Sequence, residues 1–189
     1  MPSINRIKGI MRKMNIAEEK IAALDAVQGS SDKNENCVLF INKMDELLTE
    51  DECLRIMECQ GCLRSGSLDS AYRAFYKAHR EKSLIEKLDL LSSRRFDCGE
   101  PCRLNEDGSI SVYLCQPDTS PMRCGCATVR RLEGRSIRVS PIYCGCCAGH
   151  VRYHFQHALG IKMKLLRIAS TPFDPDKNAG SEFVYEILV

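Results

Sequence analysis

The sequence predicts an α+β fold in which amino-terminal helices pack on an antiparallel sheet, with one helix inserted among the strands. Two observations support this class. Apolar residues have helical spacing in the first half of the chain, and strand-like alternation begins only near residue 109. Helices that come before the strands, instead of alternating with them, favour α+β over a parallel α/β arrangement.

The chain has 189 residues, of which 44% are hydrophobic, and this is enough for one domain with its own core. Residues 3–28 have helical composition, and the polar stretch GSSDKNEN then breaks the pattern. We therefore predict a helical extension over residues 1–36 and a single cysteine-rich α+β domain over residues 37–189. Within that domain, helices are expected over 37–95, and the sheet with its inserted helix over 105–189.

The helices of the domain have recognisable starts. The stretch CVLFINKMDELL places apolar residues on one face, as a packed helix does. Thr49 followed by Glu52 is a capping box, in which each side chain bonds the other residue's backbone amide, and it predicts the next helix. A third helix, capped by Ser67 or Ser70, is expected to break near Ser83.

Four segments have strand-like patterns: residues 109–114, 127–140, 161–170 and 182–189. The second of them is predicted to be a hairpin that turns at Glu133 and Gly134. After it, AGHVRYHFQHAL has helical spacing, and Gly160 stands where the carboxyl-terminal cap of a helix over 147–159 belongs. The core is expected to contain apolar residues of this helix and of the last two strands: Val151, Phe155, Leu159, Leu165, Ile168, Val184 and Ile187.

The chain contains twelve cysteines, and no feature of it indicates export. In a reducing compartment such cysteines stay as thiols, bind metal or perform redox chemistry. Cys37, Cys53 and Cys115 are isolated, and we expect them to be small buried hydrophobic residues, as free cysteines often are. The others form four local groups: Cys59 with Cys62, Cys98 with Cys102, Cys124 with Cys126, and Cys144 with Cys146 and Cys147.

The two C-G-C units predict a metal site. A glycine between two cysteines lets the backbone curl around an ion, and a thiolate pair at short spacing is typical of zinc sites. If the hairpin turns at Glu133 and Gly134, both units return to one end of it, and four sulfurs converge there: Cys124, Cys126, Cys144 and Cys146. Zinc is the predicted ion. An iron–sulfur cluster is an alternative, because four thiolates also bind it, and simple packing in the core is another. Cys147, and after it Cys59 with Cys62, are the replacement ligands.

The helix that follows the second C-G-C unit carries candidate catalytic groups. His150 and His154 are four positions apart and Cys147 precedes His150 by three, so one helical face offers a thiolate and two imidazoles. No acidic residue is placed as a base, as it would be in H-E-x-x-H, so packed or solvated histidines are the simpler interpretation. A cysteine near a helix start often has a lowered thiol pKa. Cys146, Cys147 and His150 are therefore the candidate catalytic residues.

The charge balance argues against large anionic partners. Lysine and arginine number 27 against 25 acidic residues, which gives a formal net charge of +2. The basic run over 130–138 has no interleaved aromatic residues for stacking on bases. No apolar run reaches the roughly 18 residues that span a bilayer, and the amino terminus lacks the apolar block of a secretory signal. We expect a cytoplasmic protein that binds neither nucleic acid nor membrane.

The carboxyl-terminal half resembles the 4-vinyl reductase-like small-molecule-binding domains. The elements of those domains occur here in the same order: a glycine-containing helix, an ALG turn, a strand and a final strand. They correspond to the stretches YCGCCAGHVRYHFQHALGIKMKLLRIAST and SEFVYEILV. The aminothiazoline-carboxylate hydrolase family has the same organisation. A set of uncharacterised cysteine-rich bacterial proteins is more similar still, through RIMECQGC, CGC, YCGCCAG and EFVYEI. The chain departs from their pattern at Ser181, where they have a cysteine near this position, and at Cys147, where they have serine.

The resemblance covers about residues 37–189, and it implies an α+β fold with a ligand cavity between the sheet and the helices. Tyr143, Tyr153 and Phe155 lie near the predicted metal site and are the candidate ligand-binding residues. The predicted function is that of a zinc-binding protein that also binds a small molecule, as a sensor or carrier. The alternative is a small-molecule hydrolase or a thiol redox enzyme that uses a cysteine within residues 144–147.

Overall fold

The computed structural model describes residues 2–27, 31–61, 66–93, 101–114, 126–132, 134–173 and 180–188. Within these ranges the chain forms eight α-helices and a four-stranded antiparallel sheet, which confirms the predicted α+β class. Most of the helices come before the strands, in the order that the sequence patterns predict.

Six helices precede the sheet: α1 (Ile4–Lys13), α2 (Glu18–Asp25), α3 (Lys33–Leu47), α4 (Glu50–Glu58), α5 (Gly66–His79) and α6 (Leu84–Ser93). The capping box predicted at the start of α4 is present, because the Thr49 hydroxyl accepts from the Glu52 amide while the Glu52 carboxylate accepts from the Thr49 amide. The break predicted near Ser83 separates α5 from α6, and Ser83 and Glu86 make the same reciprocal pair there. Local sequence sets these helix starts.

The hairpin predicted over residues 127–140 is wrong. This segment begins with α7 (Ala127–Arg130), and residues 134–140 form no strand. Thr128 and Leu132 are buried, whereas Arg130, halfway between them, is exposed. A strand face would bury all three, so this pattern fits a helical face and not a strand.

Residues 134–140 lie along α3 instead of pairing with another strand. The side chain of Asn42 donates to the Arg138 carbonyl at 2.7 Å and accepts from the Ser140 amide at 2.9 Å. One side chain of α3 thus satisfies backbone groups that a hairpin ladder would have paired. The 3₁₀ turn Pro141–Cys144 follows directly.

The sheet contains β1 (Cys102–Leu104), β2 (Ile110–Leu114), β3 (Lys162–Ser170) and β4 (Ser181–Leu188), in the order β1-β2-β4-β3. Each neighbouring pair is antiparallel. Three of the predicted strand segments are confirmed, and β1 is an additional strand that the sequence patterns do not predict. The inserted helix is α8 (Gly145–Leu159), and Gly160 ends it with a φ of +70°, the left-handed conformation of a carboxyl-terminal cap.

The core lies between the sheet and the helices that cover it. The predicted core residues that are buried are Val151, Phe155, Leu159, Leu165 and Val184. Ile168 and Ile187 are only half-buried. A buried hydrogen bond of 2.8 Å from the Tyr185 hydroxyl of β4 to the Ala148 carbonyl of α8 fixes the helix on the sheet.

Two glycines four positions apart let α8 touch α4. A methyl group on Gly145 would lie 2.6 Å from the Met57 Cβ, and one on Gly149 would overlap the Glu58 carbonyl oxygen. Only residues without a side chain permit this approach, because any Cβ would force the two backbones apart.

β3 lies at the end of the sheet, and two of its amides bond to side chains of the neighbouring helices. The Met163 amide donates to the Gln156 side chain at 2.8 Å, and the Leu165 amide donates to the Glu58 carboxylate at 3.0 Å. β3 therefore pairs with β4 on one side, and on the other side two of its amides are satisfied by side chains of α8 and α4.

Replacing Gly149 with alanine is expected to lower the free energy of unfolding by about 1–3 kcal/mol, because the added methyl overlaps the α4 backbone. Gly9→Ala is the matched control. Gly9 is inside α1 with open space around its Cα, so alanine there should raise the free energy of unfolding by about 0.5–1 kcal/mol. Urea denaturation of both variants measures these changes. A Gly149→Ala variant as stable as the wild type would show that the helices are not in contact.

Candidate functional site

A cleft of about 720 Å³ lies between α1, α4, α8 and β3. It is lined by Arg6, Gly9, Ile10, Lys13, Met14, Arg55, Glu58, Cys59, Arg152 and Lys164. Five of these side chains are cationic, and one is a carboxylate. Ligand sites typically measure about 300–1,000 Å³. We call this feature the basic cleft.

α1 forms one wall of the basic cleft because of its own residue pattern. Ile7 and Met11 are buried against the rest of the molecule, which leaves Arg6 on the side of the cleft. The Arg6 guanidinium donates to the Cys59 carbonyl at 2.6 Å and to the Gln60 carbonyl at 3.3 Å. The last carbonyls of a helix have no helical partners, so a cation is favourable there and holds α1 at the end of α4.

Glu58 supplies the carboxylate of the basic cleft, and it is only 5% exposed. Its Oε1 accepts from the Leu165 amide at 3.0 Å and lies 3.2 Å from the Arg152 Nε. Burial raises the pKa of Glu58, while Arg152, the Leu165 amide and Lys164 act in the opposite direction. The charged form therefore depends on partners that α8 and β3 bring to the end of α4.

The positive charge of the basic cleft is mostly not neutralised. Among the described residues, Lys13 and Lys164 form no ion pair, and Arg55 has only an exposed pair with Asp51 at 3.7 Å. Exposed pairs of this kind contribute little. Because charges of one sign are gathered along one cleft, the local potential is positive and attracts anions.

The four predicted metal ligands are described only in part. Cys124 lies outside the described residues, while Cys144 and Cys146 are buried at the start of α8. The Cys126 Sγ lies 3.5 Å from the hydroxyl oxygen of Tyr143, the neighbour of Cys144 in the chain. Among the described residues, no group of three or more His, Cys, Asp or Glu side chains is arranged to hold a metal. The site that includes Cys124 stays a prediction.

The remaining grouped cysteines are scattered. Cys147 is half-buried on α8, Cys59 is exposed at the basic cleft and Cys102 lies in β1. Cys62 and Cys98 lie outside the described residues. None of the replacement ligands that can be placed therefore completes a metal-binding group in the described part of the chain.

The isolated cysteines Cys37 and Cys53 are buried, as predicted, and Cys115 lies outside the described residues. Burial, together with the nearby Cys126, raises the pKa of Cys37 to about 11. Burial also raises the pKa of Cys53 to about 12. Thiols with such pKa values stay protonated at neutral pH, so these two cysteines are poor nucleophiles.

The candidate catalytic residues Cys146, Cys147 and His150 all lie on α8, and none of them lines the basic cleft. Cys146 is 2% exposed and His150 is 4% exposed. The His150 ring packs against His154 at 4.6 Å between ring centres, and His154 stacks on Tyr72 of α5 at 4.9 Å. The two histidines thus belong to the interface between helices, as the simpler interpretation expects.

The candidate ligand-binding residues also lie elsewhere than the basic cleft. Tyr143 and Phe155 are 1% exposed, and Tyr153 is half-buried. Burial, assisted by a hydrogen bond with Cys126, raises the pKa of Tyr143. Phe155 is a core residue, so its aromatic character is explained by packing alone.

His157, for which the sequence predicts no role, links α8 to α5. Its Nδ1 lies 2.8 Å from an Asp69 carboxylate oxygen, and its Nε2 lies 3.0 Å from the Arg73 guanidinium. Arginine can only donate, so Nε2 accepts and Nδ1 carries the proton that Asp69 accepts. Because Arg73 occupies the second nitrogen, this Asp–His pair is a structural link and not an available base.

No family model matches the chain, and no curated protein or solved structure matches it either. The function is therefore argued from the chemistry of the described residues. Within the part of the chain that the structure describes, no helix combines the length and the apolar character needed to cross a membrane.

The residues of the basic cleft are not predicted by any motif, because they come from four separate elements. Glu58 is the one signal that was available in the sequence. It stands four positions after Leu54, which is buried, so it continues the apolar face of α4. A carboxylate on such a face indicates either a buried ion pair or a site.

Replacing Glu58 with glutamine is expected to remove a pH dependence of stability. Because its pKa is raised above the ordinary 4.5, the stability that Glu58 contributes is fully present below that value and is lost as pH rises through its folded pKa. Glutamine can still accept from the Leu165 amide but does not ionise. The difference in melting temperature, variant minus wild type, should therefore increase as pH is raised from about 4 to about 7 in scanning calorimetry.

Glu52→Gln is the matched control, because the Thr49 amide lowers the pKa of Glu52. The stability from Glu52 is present above its ordinary pKa and is lost as pH falls through the folded value. For Glu52→Gln, the melting temperature of the variant minus that of the wild type should therefore decrease as pH is raised, and this change should occur below pH 4.5. A Glu58→Gln difference that stays flat or decreases with pH would contradict the assignment of Glu58 as a buried charge.

Proposed function

We propose that the protein binds a small anionic molecule with an apolar part in the basic cleft, as a sensor or carrier. The observation that carries this proposal is the composition of the cleft, which is lined by five cationic side chains and one buried carboxylate. Lys13 and Lys164 are available for a ligand, because neither is held in an ion pair among the described residues.

The basic cleft also has an apolar wall. Ile10 and Met14 of α1 line it next to Gly9, which adds no side chain. Small-molecule sites usually combine such an apolar surface with a few convergent polar groups. An acid that carries an aromatic or aliphatic group would use both parts.

A small anion fits better than a nucleic acid. The formal charge of the whole chain is only +2, so the positive charge of the cleft is local. Binding along a nucleic acid backbone requires basic residues spread over an extended face, because each phosphate contact adds a similar increment. A cleft of about 720 Å³ has the size of a site for one small molecule.

Phenyl phosphate and phenylpropanoate at millimolar concentration are expected to raise the melting temperature by at least about 2 °C, since binding to the folded state stabilises it. Phenethylamine, which is cationic, and phenylpropanol, which is neutral, should not. The effect should diminish at high salt, because it depends on charge. A thermal-shift assay followed by calorimetric titration measures both effects.

The double variant with Lys13→Gln and Lys164→Gln should bind the anions about tenfold or more weakly, since two charge-assisted contacts are lost. Lys43→Gln is the control, because Lys43 pairs with Glu46 on α3 and does not line the cleft. If the amine and the alcohol stabilise the protein as much as the acids, or if no acid binds, the proposed function is wrong.

Zinc binding through the cysteines is a second candidate function. It is supported by the contact between Cys126 and Tyr143, which brings the first cysteine segment beside the start of α8. Cys124 and Cys126 would supply two thiolates, and Cys144 with Cys146 the other two. Such a site would stabilise the fold, because the energy of binding a structural metal is also energy of folding.

Protein purified under reducing, oxygen-free conditions is expected to contain about one zinc per chain. Cys126→Ser should lower that content, and chelation should lower the melting temperature of the wild type but not of the variant. Cys53→Ser is the control, because Cys53 is buried and donates to the Met44 carbonyl. Elemental analysis that finds neither zinc nor iron in the wild type would remove this candidate.

A further inference from the structure

Glu58 presents one carboxylate oxygen that the protein itself does not use. Within the described residues, both of its contacts involve Oε1, namely the Leu165 amide and the Arg152 guanidinium. A carboxylate has about four acceptor positions. Oε2 is not among the buried side-chain atoms that lack a partner in the described part of the chain, so it is accessible from the surface. Oε2 therefore provides an acceptor at a residue that lines the basic cleft.

Arg152 does not occupy that acceptor, because its ion pair is made with Oε1. Its Nε lies 3.2 Å from Oε1, yet this N–H has no hydrogen-bond acceptor among the described residues. The contact neutralises charge without occupying the lone pairs of Oε2. An incoming ligand consequently meets cations for its anionic group and, beside them, one acceptor that has no donor.

We infer that Glu58 selects anions that also carry a hydrogen-bond donor, such as 2-hydroxy or 2-amino acids with an apolar side chain. This inference rests on the proposed function. A ligand hydroxyl or ammonium group would donate to Oε2 while its carboxylate lies against the cations. A ligand with an acceptor in that place would be repelled, and one with a plain methylene would leave Oε2 unsatisfied.

A series of four acids of nearly equal size tests this selection. Phenylpropanoate has no polar group beside its carboxylate, phenylpyruvate has an acceptor, phenyllactate has a hydroxyl donor and phenylalanine has an ammonium donor. In calorimetric titrations of the wild type, phenyllactate and phenylalanine should bind about tenfold more tightly than the other two, because the hydrogen bond is to a charged acceptor.

Glu58→Gln should reduce this preference to less than about threefold, since the amide oxygen keeps the bond from the Leu165 amide and the NH2 group, which only donates, takes the place of Oε2. Phenylpyruvate should gain the most from the substitution, because the amide can donate to its keto oxygen. Glu52→Gln, which lies at the start of α4 and outside the cleft, should keep the wild-type preference. Circular dichroism and the melting temperature show whether each variant is folded.

The outcomes separate the inference from the proposed function. Equal affinities for the four acids in the wild type would overturn the selection by Glu58 and leave anion binding intact. A preference that persists in Glu58→Gln would also overturn it. Binding of none of the four, nor of phenyl phosphate, would instead defeat the proposed function. The wild-type series is decisive by itself if the Glu58 variant does not fold.

Discussion

The contact between the backbones of α4 and α8 determines the geometry of the basic cleft. Gly149 lies against the carbonyl of Glu58, the residue whose carboxylate then reaches Arg152 and the Leu165 amide. A buried charge is unfavourable unless its partners are in place. If a side chain at position 149 held the helices apart, Glu58 would lose the distance at which these partners act. Packing and charge are therefore coupled at one residue.

The parts of the fold that the sequence predicts are those with a local physical cause. The capping box of Thr49 and Glu52 acts within one helical turn, and Gly160 adopts a left-handed conformation that other residues disfavour. The alternation of residue types predicts β2, β3 and β4 as strands, although only the start of β3 buries every second residue, while β2 and β4 each bury three consecutive residues. Each signal is contained within about ten residues, so no knowledge of the tertiary structure is needed to interpret it.

The parts that the sequence does not predict depend on distant partners. Residues 127–140 have charged and apolar residues in an order that fits a hairpin, but Asn42 of α3 satisfies their backbone instead. The basic cleft assembles side chains as far apart in the chain as Arg6 and Lys164. Only the packing of α1 and β3 around the end of α4 brings them together, and no local pattern encodes that arrangement. The arrangement of the cysteine segments is predicted only in part. Cys126 does contact Tyr143, but the chain between them does not form the predicted hairpin.

The side-chain acceptors along β3 have a consequence for how copies of this chain meet each other. An end strand with unpaired amides is a template on which another chain can add a strand, and proteins that leave such edges open tend to aggregate. Here Gln156 and Glu58 occupy two outward amides of β3, at Met163 and Leu165. The same carboxylate that gives the cleft its acceptor thus also blocks strand addition at this edge of the sheet, and it helps to keep separate copies from joining sheet to sheet.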